Sequence, residues 1–203
     1  KNEKVIDGLN LEINKHDTIG IHGGSGAGKT TLINILLGLL LPSANSTYVD
    51  NKLVNFDDRA WQNKIGYVPQ NVYLTDDTIK KNIAFGIEED QIDLVKLDKS
   101  IKLAQIYDYI NTLTDKLESK VGENGVNLSG GQIQRIILAR TLYASNDLVI
   151  LDEPLSNVEN ALEEKIIKNL FKFIKANNKT LVMTSHSKTC FNLSDNILIV
   201  EDS

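Results

Sequence analysis

Gly23-Gly24-Ser25-Gly26-Ala27-Gly28-Lys29-Thr30 follows the apolar run Thr18-Ile19-Gly20-Ile21 and precedes Thr31-Leu32-Ile33-Asn34-Ile35-Leu36-Leu37. The order is strand, glycine loop, helix. Glycines let successive backbone N–H groups turn inward around a polyphosphate, and the helix after them presents its positive end to the same spot. Lys29 adds a mobile cation, and Thr30 supplies a hydroxyl able to ligate a magnesium ion bridging the outer phosphates. Spacing of the form Gly-x4-Gly-Lys-Thr also occurs in ordinary turns, but the flanking strand and helix turn the match into a phosphate cradle.

Farther along the chain, the aliphatic run Leu148-Val149-Ile150-Leu151 has the character of a central parallel strand covered on both faces. Asp152 and Glu153 come directly after it, at the carboxyl end where ligands gather in an open α/β sheet. Asp152 is suited to hold magnesium, and Glu153 to orient or deprotonate the water that attacks a γ-phosphate. Leu128-Ser129-Gly130-Gly131-Gln132 stands before a helical run over 133–142 and offers a second anion-binding helix start. Two such starts are hard to use on one nucleotide within a compact monomer. A head-to-tail pair, in which each serine-glycine turn closes over the nucleotide held by its partner's glycine loop, uses both.

The remaining pattern is that of a globular α/β protein. Residues 5–13 alternate apolar and polar positions (Val5, Leu9, Leu11, Ile13) around the turn pair Asp7-Gly8 and predict strands of a half-exposed sheet. The helix after the glycine loop is expected to run from Lys29 to about Leu41, where Pro42-Ser43-Ala44-Asn45 breaks the chain. An antiparallel hairpin over 47–54 turns at Asp50-Asn51, and Gly66-Tyr67-Val68 makes a short strand ending at Pro69-Gln70. From about Thr78 to Leu117 the spacing of Ile101, Leu103, Ala104, Ile106, Tyr109 and Ile110 is helical and predicts a separate lobe. A helix over 161–176 and strands over 180–185 and 196–200 complete a parallel core.

Composition narrows the function classes. The 203 residues are 41% hydrophobic, enough for one sizeable core, and carry a net charge of −5, so no basic footprint for nucleic acid or anionic lipid is present. The single cysteine, Cys190, excludes an intrachain disulfide. No apolar run approaches the roughly 18 residues a membrane-spanning helix needs. The only methionine is Met183, and we expect the chain to be a piece of a longer protein.

Taken together and in this order, these motifs resemble the nucleotide-binding domain of an ABC transporter over nearly the whole length. Residues 23–30 resemble the Walker A motif, 128–132 the LSGGQ signature and 148–152 the Walker B strand. The resemblance implies a P-loop NTPase (RecA-like) α/β core over 1–73 and 129–203, an N-terminal antiparallel β lobe and a helical lobe inserted at about 74–128. It implies ATP and Mg2+ as ligands. Gly23, Gly24, Ser25, Gly26, Ala27, Gly28, Lys29, Thr30, Thr31 and Gln70 would hold the nucleotide, Ser129, Gly130, Gly131 and Gln132 would close it from a second domain, and Thr30, Gln70 and Asp152 would serve the metal. Glu153, His186 and Lys29 would carry the chemistry, His186 resembling the switch histidine and Gln70 the Q-loop glutamine. Transmembrane segments outside this chain would be driven through the regions of Gln70 and Glu123, at the cytoplasmic face of a bacterial inner membrane. No nucleic acid is implied.

Val121-Gly122-Glu123-Asn124-Gly125-Val126 resembles the X-loop of exporters, and Val68-Pro69-Gln70 with Leu74, Thr78-Ile79 and Asn82-Ile83-Ala84-Phe85-Gly86 resembles the exporter pattern. Two departures stand beside this. Pro154-Leu155-Ser156-Asn157 is closer to importer ATPases, and Glu159 replaces the D-loop aspartate. No Phe, Tyr or Trp precedes Tyr48, so the residue that would stack on adenine is expected upstream of Lys1. The alternatives are an importer ATPase, a soluble ABC-type ATPase acting on ribosomes or DNA, and a module that clamps ATP without hydrolysing it. The long coiled-coil insertion of the DNA-repair members is missing from this sequence, and intact Lys29, Asp152, Glu153 and His186 oppose the passive clamp.

Overall fold

The computed structural model describes residues 5–6, 8–42, 47–53 and 59–201. Asp7, residues 43–45 and Val54, which belong to the turns and hairpin read above, lie outside them. Strands β1 (Thr18–Gly23), β4 (Ile65–Val68), β5 (Leu148–Asp152), β6 (Thr180–Thr184) and β7 (Asn196–Val200) form one sheet in the order β4-β5-β6-β1-β7. Every pairing in it is parallel. All five carboxyl ends therefore open on one edge, and the loops that leave them share that edge. The register aligns three chain segments across that edge: Asp152 lies opposite Thr184, and Thr184 lies opposite Ile21 on β1.

Alternation along the strands sorts the core into two layers. Ile150 and Val182 point to the face that carries α1 (Lys29–Leu36), where Ile19, Ile21, Leu32 and Ile33 join them. Val149, Leu151, Leu181 and Met183 point to the other face, against α6 (Gly130–Ala144) and α7 (Asn160–Ala176). Side chains such as Ile33, Ile136 and Ile166 are wholly buried, each stabilising by about 1.5–3 kcal/mol.

The middle segment forms α3 (Ile79–Ile83), α4 (Leu94–Leu103) and α5 (Tyr107–Thr112). Thr78 caps α3 through Lys81 N–H, and Asp93 caps α4 through the N–H groups of Val95 and Lys96. The buried side chains of these helices, among them Ile83, Ile101 and Ile110, belong to the same apolar cluster as Ile136 of α6 and Ile166 of α7. Lys80 ties the segment together by ion pairs to Glu89 and Glu118.

Two expectations need correction. The described residues of 5–14 hold no strand: Leu11 and Ile13 are half-buried and Glu12 is exposed, so the alternation is real, but no neighbouring strand supplies a ladder. Helix α1 ends at Leu36 rather than near Leu41, because Gly38 takes the left-handed conformation (φ 72°) and the N–H groups of Leu39 and Leu40 both fold back on Asn34 O. The expected hairpin is present as β2 (Tyr48–Val49) and β3 (Lys52–Leu53). Asp50 and Asn51 both have positive φ at its tip, the signature of a tight two-residue turn. Helix α2 (Arg59–Gln62) is pinned by Trp61, whose indole N–H donates to Leu36 O.

Candidate functional site

The glycine loop leaves β1 and enters α1 without a side-chain cap: Gly28, at φ 99°, stands at the cap position, and the first turn of the helix carries no acidic residue. The positive helix end therefore faces an open loop uncompensated. Added Cβ atoms at Gly24 and Gly26 would meet nothing within 4 Å, so the loop's outer side is free space. Lys29 is buried, and its ammonium donates to Gly23 O (2.9 Å) and Gly24 O (2.7 Å), drawing the loop around the charge. Ser25 is exposed, Ala27 buried and Thr31 half-buried.

Beside this loop the end of β5 delivers two carboxylates with different surroundings. Asp152, 2% exposed, accepts from Thr30 Oγ1 (3.1 Å) through one oxygen and from Thr184 Oγ1 (2.7 Å) through the other. Its charge reaches Tyr67 on β4, whose phenol is pushed above its ordinary value by burial and, second, by this carboxylate. Glu153 turns the chain out of the sheet with φ 46°, and its N–H donates to the same Thr184 hydroxyl (2.8 Å). Its side chain then meets three groups from three loops. Gln70 Nε2 donates to Oε2 (3.3 Å), Lys29 Nζ stands 3.9 Å from Oε1, and His186 Nε2 stands 3.4 Å from Oε1.

Ser129 begins α6 with a capping box: its hydroxyl accepts from Gln132 N–H (3.3 Å), while Gln132 Oε1 accepts from Ser129 N–H (2.8 Å). The turn is held from behind by the loop after Glu153. Buried Gln134 donates to Ser156 Oγ (2.9 Å) and accepts from Asn157 N–H (2.9 Å). Gly131 approaches that loop so closely that a Cβ would lie 2.7 Å from Asn157 O. Arg135 reaches back to Gly131 O and across to Gln105 O, and burial draws its guanidinium below the ordinary arginine value.

The structure thus brings Lys29, Thr30, Gln70, Asp152, Glu153 and His186 to one point. Among the described residues no hydrogen bond or ion pair joins Ser129, Gly130, Gly131 or Gln132 to that cluster, and Glu123 is exposed in the short 3-10 turn Glu123–Gly125. Sequence reasoning missed Thr184, which bonds both Asp152 and the Glu153 backbone, and it missed the Gln134, Ser156 and Asn157 brace. A polar residue at the end of an apolar strand, paired in register with Asp152, was the available signal for Thr184.

A phosphate-cradling loop, a carboxylate paired to its threonine and a second carboxylate held among polar partners define a nucleotide-binding P-loop domain. The family model for ABC transporters matches residues 6–156. A Rickettsia prowazekii protein named as a putative export ATP-binding/permease protein is 35% identical across 98% of this chain. The lacticin-481/lactococcin-DR transport/processing ATP-binding protein of Lactococcus lactis is 32% identical across 99%. Among solved structures, a bacterial Atm1-family ABC exporter with ATP bound covers the whole chain with a TM-score of 0.89 and 28% identity. The chain belongs to the ABC transporter family and is an ATP-binding domain of it. It spans 34% and 28% of the two curated relatives and 36% of the solved exporter.

Proposed function

We propose that this domain hydrolyses ATP to drive export by a membrane transporter, and that Glu153 activates the attacking water. The observation that carries the proposal is the convergence on Glu153 of Gln70, Lys29 and His186, while Thr184 fixes its backbone and ties it to Asp152. One carboxylate is locked by two hydroxyls and the other faces an amide, an ammonium and an imidazole, which fits a division of labour between a metal holder and a base.

The donor set fits magnesium. Thr30 and Asp152 present hard oxygen atoms within 3.1 Å of each other beside the open side of the glycine loop. Magnesium is held in such sites by one or two carboxylates together with substrate phosphates, so Thr30 and Asp152, with Gln70 at the edge, would hold it in this domain. When bound, it supplies charge neutralisation across the outer phosphate oxygens. Lys29 and the unpaired N–H groups at the start of α1 bind and orient the phosphates. Glu153 takes the proton of the attacking water, and His186 and Gln70 keep that carboxylate aimed.

The Ser129 turn, which no hydrogen bond or ion pair among the described residues joins to this cluster, acts on the nucleotide of a second copy in a head-to-tail dimer. Residues of about 74–128 act as a lobe that carries this turn and, with Gln70 and Glu123, passes closure to transmembrane segments. No helix among the described residues is long and apolar enough to cross a membrane. The domain works at the cytoplasmic face, and the names of the export ATP-binding/permease relatives support the direction of transport. In the intact protein, Glu153→Gln lowers kcat for ATP by about a hundredfold or more while nucleotide binding persists. Phosphate release unchanged by the substitution would overturn the proposal.

A further inference from the structure

We infer that His22 is a positioning residue for His186, acting through a row of aromatic rings that starts on the sheet and ends at Glu153. The inference presupposes the hydrolytic role of Glu153. His22 is the last side chain of β1 before the glycine loop and is exposed, whereas Thr18, Ile19, Gly20 and Ile21 before it are buried. Alternation puts it on the same face as Gly20. At Gly20 a Cβ would lie 3.0 Å from the Phe191 ring and 3.0 Å from Ser194 Oγ, so the absence of a side chain there lets α8 (Lys188–Leu193) seat Phe191 against the strand.

From that seat the rings come in series. Phe191 and His22 meet edge to face with centroids 5.2 Å apart and planes at 79°, and His22 meets His186 edge to face at 6.0 Å and 82°. Both spacings lie in the range where aromatic pairs attract. His186 needs such a neighbour. Its side chain is 63% exposed, and among the described residues Glu153 Oε1 at 3.4 Å and the His22 ring lie where they can orient it. A solvent-facing imidazole with one partner samples several rotamers, and each excursion takes Nε2 away from Glu153. The charged groups facing the row are Glu153, beside His186, and Glu163 in the first turn of α7, whose carboxyl burial pushes above its ordinary value. Neither touches His22 in the described contacts, which leaves its ring to work by shape.

The test is steady-state ATP hydrolysis by the intact protein, with thermal melts in parallel. His22→Val retains a good strand former but removes the ring, and His22→Phe retains the edge-to-face surface without ring nitrogens. The valine variant is expected to lose about three- to tenfold in kcat, the span that one aromatic pair of this geometry controls. Its KM for ATP and its Tm should stay near those of the parent, and the phenylalanine variant should recover most of the rate. Two results would overturn the inference: a valine variant within about twofold of the parent in kcat, or a loss of rate that tracks Tm and is not recovered by phenylalanine. If Glu153→Gln also leaves turnover unchanged, the hydrolytic reading itself fails, which separates the two outcomes.

Discussion

Gly131 illustrates how little room the signature turn leaves. An added methyl would press on Asn157 O at 2.7 Å, a backbone atom that cannot rotate away, so Gly131→Ala must push the α6 start from the loop holding Ser156 and Asn157. Overpacking of this kind costs about 1–3 kcal/mol. We expect a lower Tm together with a fall in ATP turnover larger than that of a surface substitution such as Lys168→Ala, measured side by side. Lys29, Asp152 and Glu153 were legible in the sequence because each sits at the end of an apolar run or a glycine series, where strand chemistry stops and ligand chemistry begins. Thr184 was not, since its partnership with Asp152 arises from the pairing of β5 with β6, and no local pattern encodes that register.

At the level of secondary structure, the join between α3 and α6 decides where the segment after Gln70 lies. Asn82 is wholly buried: its amide donates to Thr75 O and Thr78 O, and its side-chain oxygen accepts from the Thr75 backbone and from Arg140 of α6. Arg140 also donates to the Asn82 backbone carbonyl and lies over the Phe85 ring, 4.7 Å from its centroid. Burial draws its guanidinium below the usual arginine value, the mark of a charge that has exchanged water for these partners. Asn82→Ala strips the hub and leaves donors without acceptors. We expect a loss of about 2–3 kcal/mol in denaturant unfolding, with turnover at room temperature reduced because residues 70–78 lose their anchor. Helix existence in this region was readable from the spacing of apolar residues, whereas element ends were not. The apolar series through Leu41 extended the expected helix beyond Leu36, and only the left-handed Gly38 stops it. Over the described residues of 5–14 the alternation was present without a partner strand to convert it into sheet.

Across the whole molecule, the parallel sheet puts the glycine loop and the carboxylates on one edge, with the exposed Ser129 turn held by the loop that comes after them. That layout predicts a specific pairing of copies. With Ser25→Cys and Ser129→Cys in a Glu153→Gln background, oxidation in the presence of ATP and Mg2+ should join two copies covalently, and omission of ATP should abolish the product. Ser25 is exposed, and Ser129 begins the turn that, among the described residues, no hydrogen bond or ion pair joins to the cluster around Glu153. Native Cys190 should not interfere, since it is wholly buried and burial pushes its thiol up to about 11. A cross-link independent of nucleotide would count against the head-to-tail arrangement.

The left-handed backbone at Glu153 sets two kinds of fitness against each other. A side chain at φ 46° carries roughly 1–3 kcal/mol of conformational cost, a sizeable fraction of the roughly 5–15 kcal/mol that typically separates a folded domain from its unfolded chain. Laboratory evolution that rewarded heat resistance alone would drift toward glycine or asparagine at this position and discard the carboxylate proposed to activate water. A library selected for ATP turnover should hold the glutamate at this position while one selected for endurance alone lets it go, so the two demands can be told apart at a single residue.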